Sequence, residues 1–81
     1  MSAEHLVTMA NDIANFFRAE SDPVVAVDGV FNHLRKFWDP RMRRKIIAHV
    51  RESGGDDLSE LARAAVTKLA EVETAATSHP S

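Results

Sequence analysis

The chain contains no cysteine. That excludes disulfides, thiolate metal ligands and iron–sulfur clusters on it, and it fits a reducing compartment. No apolar run approaches the roughly 20 residues that a bilayer-spanning helix needs. The first residues carry acidic Glu4 and lack the basic-then-apolar layout of a signal peptide, so a soluble cytoplasmic protein without membrane attachment is expected. Glycine is scarce and forms no phosphate-cradling loop; Gly54-Gly55 reads better as a helix stop. Histidines His5, His33, His49 and His79 lack metal-ligand spacing. The carboxylates form no acid–base pair, and no serine stands in a nucleophile-elbow setting. At 81 residues the chain can bury one modest core but has little room for a substrate pocket as well. An enzyme acting alone is not expected, nor is a cofactor, metal or catalytic residue on this chain.

What is present has helical periodicity. Leu6, Met9, Ile13, Phe16 and Phe17 recur at intervals of three and four, which predicts a helix over about 3–18 with Ser2 as its N-cap. Asp22-Pro23 and Asp39-Pro40 each supply a cap followed by a proline at the first helical position. A second helix with Val27, Val30, Phe31, Leu34, Phe37 and Trp38 on one face should therefore end near Trp38, and a third should start at Pro40. The third turns Met42, Ile46, Ile47 and Val50 inward and stops at Gly54-Gly55. D-L-S-E, residues 57–60, reads as an acidic capping box that opens a fourth helix with Leu58, Leu61, Ala62, Ala65, Val66, Leu69 and Val72 as its apolar face. Periodicity lapses from Thr74. The expected architecture is an all-α bundle of about four short helices, a single domain over 1–73, with a flexible tail over 74–81.

The stretch from His33 to Lys45 stands apart. It holds the single tryptophan, and residues 35–51 carry Arg35, Lys36, Arg41, Arg43, Arg44, Lys45 and Arg51 against Asp39 alone, between acidic ends. Cations in the first turn of the third helix oppose the helix dipole, where a sequence tuned only for stability would place acids. That mismatch favours an anionic partner. Phe37 is expected mainly inside, and Trp38 at the edge of a contact surface, where a large side chain of few rotamers makes a good anchor. The candidate partner-binding residues are Phe37, Trp38, Asp39, Pro40, Arg41, Met42, Arg43 and Arg44. An alternative is a stand-alone polyanion or nucleic-acid binder using the basic helix 41–51, although the net charge of −2 and the lack of a recognised motif speak against nucleic acid. A third possibility is a homo-oligomeric scaffold, because the apolar stripes exceed what so small a fold can cover.

Three blocks resemble a known family: L-V-x-M-A-N-x-I-A-x-F-F (Leu6 to Phe17), H-L-x-x-F-W-D-P-R-M-R (His33 to Arg43) and G-G-x-x-L-x-x-L (Gly54 to Leu61). They are similar to the delta subunit of soluble NAD-dependent formate dehydrogenases. The resemblance implies a non-catalytic accessory subunit of a cytoplasmic molybdenum- or tungsten-dependent complex. In such a complex the alpha subunit carries bis-molybdopterin guanine dinucleotide (bis-MGD) and iron–sulfur clusters, while beta and gamma carry FMN and further clusters. The delta subunit would dock on alpha to stabilise it, to assist cofactor insertion and assembly, or both. Isolated, it could self-associate.

Overall fold

Each helix begins where a side-chain oxygen can satisfy the free N–H groups of its first turn. In the computed structural model, which describes residues 2–77 and the side chains of residues 2–74, Ser2 caps α1 (Ala3–Phe17) by accepting from the His5 N–H at 3.2 Å. Asp22 caps α2 (Pro23–Phe37), accepting from Val24 at 2.9 Å. Asp39 caps α3 (Pro40–Ser53), accepting from Met42 at 3.0 Å. Proline at the first position of α2 and of α3 forfeits no helical hydrogen bond. Gly54 and Gly55, with φ of 85° and 72°, end α3 in the left-handed region that side chains with a Cβ avoid. With α4 (Glu60–Thr77) the fold is the expected four-helix all-α bundle, and no strand occurs among the described residues.

The start of α4 differs from the expected cap at Asp57. Ser59 holds that position: its Oγ accepts from the Ala62 N–H at 3.2 Å and its carbonyl from the Arg63 N–H at 2.8 Å. Two successive left-handed glycines, followed by a turn in which Leu58 N–H donates to the Gly55 carbonyl at 3.0 Å, keep the chain out of the helix until Ser59. Asn11 of α1 then fixes the register. Its Nδ2 donates to the Asp57 carbonyl at 3.0 Å and its Oδ1 accepts from the Ser59 N–H at 2.8 Å. At the other end α4 continues through Thr77, beyond the point where periodicity lapses; the remainder of the expected tail, 78–81, lies outside the described residues.

α2 packs on α1 and α4, α3 packs on α4 and α1, and α1 also meets α4 across the bundle. Leu6, Val30, Leu34, Ile46, Val66 and Leu69 are fully buried at the centre. Each large aliphatic removed from water contributes about 1.5–3 kcal/mol. Ala10 and Ala14 of α1 and Ala62 and Ala65 of α4 are buried as well, and their small size lets these helices approach closely. This alters the expected inward face of α1. The face is centred on Leu6, Val7, Ala10 and Ala14, and successive residues on a helix point about 100° apart. Phe17 can follow that face; Phe16 cannot, and it stands 78% exposed. Phe17 in turn lies on Gly29 of α2, where a Cβ would sit 2.5 Å from its ring. The glycine is what lets the ring come this close to α2.

Candidate interaction surface

The corner between α2 and α3 is built by the Asp39-Pro40 step. Trp38 leaves the helix with extended backbone (φ −87°, ψ 136°), and Asp39 follows in the extended conformation that proline imposes on its predecessor. Here the expected roles of the two aromatics are exchanged. Trp38 is buried, 4% exposed, within the central cluster, while Phe37 is 66% exposed. The two positions straddle the inward direction of α2, and only the position of Trp38 is covered by the core. Phe37 is left outside, in contact with His33 (ring centroids 4.7 Å apart) and beneath the Lys36 ammonium at 5.8 Å.

Arg43 holds this corner closed. Its Nε donates to Glu73 Oε2 of α4 at 2.7 Å, and its Nη1 donates to the Trp38 carbonyl and, at 3.4 Å, to the Arg35 carbonyl. The fork thus occupies acceptors at the C-terminal end of α2 and ties that end to α4. The Arg43 and Glu73 side chains are only 18% and 24% exposed. Asp39 is engaged as the α3 cap, Pro40 lies exposed at the first position, and Met42 packs partly buried against the core. Arg41 and Arg44 are exposed and form no ion pair with the described residues. Of the eight candidate residues, then, Trp38, Asp39, Met42 and Arg43 build the corner. Phe37, Pro40, Arg41 and Arg44 are what it presents.

A second exposed apolar feature was not anticipated. Between α1 and α2 runs a groove of about 330 Å³ lined by Asp12, Ile13, Phe16, Phe17 and His33. Phe16 and Phe17 meet edge to face at 5.1 Å, and the His33–Phe37 contact continues the line of rings toward the corner. Helical spacing placed Phe16 on the core stripe. Only the clustering of small Ala10 and Ala14 signals that the buried face is turned away from it.

Elsewhere, His49 Nε2 lies 3.0 Å from both carboxylate oxygens of Asp57. The hydrogen bond from His49 is the main reason the Asp57 carboxyl is held below its ordinary value of 3.8; desolvation works against it, and the His49 charge adds a smaller lowering. Lys68 of α4 pairs with Asp28 of α2 and lies 4.8 Å from the Phe31 ring centroid, a latch between those helices. Among the described residues no three His, Asp or Glu side chains converge as metal ligands would, and the chain offers no thiolate. These residues do not fit a metal centre or an iron–sulfur cluster. Among the described residues no helix is long and apolar enough to cross a membrane.

No curated protein and no solved structure matches the chain. One family model does, over residues 5–66, which is more than half of the sequence and takes in most of α1, all of α2 and α3, the corner and the start of α4. Its description is NADH-dependent formate dehydrogenase delta subunit FdsD, and the chain belongs to that family.

Proposed function

We propose that this chain is a non-catalytic accessory subunit that docks on the catalytic alpha subunit of a cytoplasmic formate dehydrogenase complex, stabilising it and assisting insertion of its molybdenum cofactor and assembly. The redox groups of the complex (bis-MGD with molybdenum or tungsten, iron–sulfur clusters and FMN) reside on alpha, beta and gamma. One observation carries the choice of surface: exposed Phe37 at the end of α2, and exposed Arg41 and Arg44 at the start of α3, which form no ion pair among the described residues, belong to one corner fixed from within by Trp38 and Arg43. A preset aromatic flanked by guanidinium groups is suited to a pocket rimmed with carboxylates or phosphates, because little conformational freedom is lost on docking. Trp38, the anchor expected from the sequence, serves instead as the internal support of Phe37. Truncating an anchor at the centre of an interface costs about 2–4 kcal/mol of binding.

Co-purification with the alpha subunit tests this reading. Phe37→Ala and the Arg41→Glu, Arg44→Glu double variant keep the helical fold and lose alpha, with formate oxidation falling as unstabilised or cofactor-poor alpha accumulates. Full recovery of active alpha with both variants removes the corner from the interface. The competing reading, a polyanion binder on helix 41–51, is weakened by the engagement of Arg43 with Glu73 and of Arg51 with Thr74 Oγ1. Three exposed cations of α3, Arg41, Arg44 and Lys45, remain for it.

A further inference from the structure

We infer that the groove between α1 and α2 is a self-association surface whose occupant is a second copy of this chain. The inference does not depend on the docking of Arg41 and Arg44. The groove is aromatic and open, with Phe17 in its lining and Phe16 standing 78% exposed on its rim. An apolar groove with an exposed ring on its rim is the kind of surface that marks an interaction site. The charges on the two walls identify the cover. α1 carries the acids Glu4 and Asp12 and neither lysine nor arginine, whereas α2 ends in Arg35 and Lys36. Asp12 lines the groove, and neither Asp12 nor Lys36 has an ion-pair partner among the described residues.

The two helices run antiparallel, since Phe17 lies on Gly29 while Ile13 and His33 line the same groove. At about 1.5 Å per residue, Asp12 and Lys36 then stand at nearly the same height on opposite walls. A twofold axis running along the groove lays the α1 of each copy over the α2 of the other. It sets each Asp12 against the partner's Lys36 and each Phe16 into the partner's groove. The surface is complementary to itself in charge as well as in apolar content, a match that an unrelated partner would have to reproduce by design.

Sedimentation equilibrium of the purified full-length chain at about 100 μM, well above a micromolar dissociation constant, tests the proposal. The expected mass is twice 9.0 kDa for the unaltered chain. Phe16→Glu, Asp12→Lys and Lys36→Glu each reduce it to the monomer, with the circular dichroism of the helices unchanged. An equimolar mixture of Asp12→Lys and Lys36→Glu chains regains the dimer, because the mixed species holds one charge-reversed pair and one native Asp12–Lys36 pair, both attractive. A monomeric unaltered chain overturns the proposal, as does a dimer indifferent to the charge reversals or a mixture that stays monomeric.

Discussion

Arg43 offers the sharpest separation between a residue that builds the corner and residues that the corner displays. Arg43→Met keeps the apolar stem of the side chain and deletes the guanidinium fork. Lost with it are a 2.7 Å charge-assisted bond to Glu73, a bond to the Trp38 carbonyl and a long one to the Arg35 carbonyl. Bonds to charged groups contribute about 1.5–3 kcal/mol each when well formed. One of the three is long, and the Arg43–Glu73 pair keeps 18% and 24% side-chain exposure, which lets water replace part of the interaction. The expected loss is therefore about 2–3 kcal/mol, a large share of a small domain's 5–15 kcal/mol. In a chain of this length it corresponds to a fall in Tm of roughly 10–20 °C. Urea unfolding followed by helix circular dichroism and by the fluorescence of Trp38, the single tryptophan, measures it. Arg41→Met and Arg44→Met in the same assay should stay within about 0.5 kcal/mol of the unaltered chain. An Arg43→Met variant as stable as those two would refute the assignment of Arg43 to the fold.

Three other outcomes follow from the packing. Gly29→Ala gains about 1 kcal/mol of helix propensity but forces the Phe17 ring away from a contact of 2.5 Å, so a net loss of about 1–2 kcal/mol is expected in urea unfolding, shrinking in a Phe17→Leu background. Asn11→Ala removes both clamps on the α3–α4 connection, which costs about 1–3 kcal/mol and speeds hydrogen exchange at the Ser59 amide. Because Asp57 has a lower pKa folded than unfolded, the stability it contributes is present above pH 3.8 and is lost as pH falls through its folded-state value. The gap in urea midpoint between the unaltered chain and Asp57→Asn should accordingly close as pH falls below 3.8, and a gap that widens would contradict the pairing with His49.

The parts of this fold legible in the sequence are those set by local chemistry. Asp22-Pro23 and Asp39-Pro40 mark the starts of α2 and α3 because a cap and a proline act within one turn, and Gly54 marks a stop because its conformation excludes a Cβ. Periodicity likewise marks Ile46, Ile47, Val66 and Leu69 as core. What it does not resolve is a choice between neighbours. Phe37 or Trp38, and Phe16 or Phe17, differ only in which member of an adjacent pair another helix covers, and that depends on packing across the bundle. Asp57 and Ser59 are equally good caps by composition; Asn11, distant in sequence, decides between them. The engagement of Arg43 is hidden for the same reason, since its carboxylate partner Glu73 lies on α4.

The most direct test of the docking corner is hydroxyl-radical footprinting of the chain alone and within the purified formate dehydrogenase complex. Phe37 should be oxidised readily in the free chain and protected in the complex, while Trp38, already enclosed, should react little in either. Equal oxidation of Phe37 in both states, or a Trp38 that is reactive alone and shielded by the complex, would contradict the account.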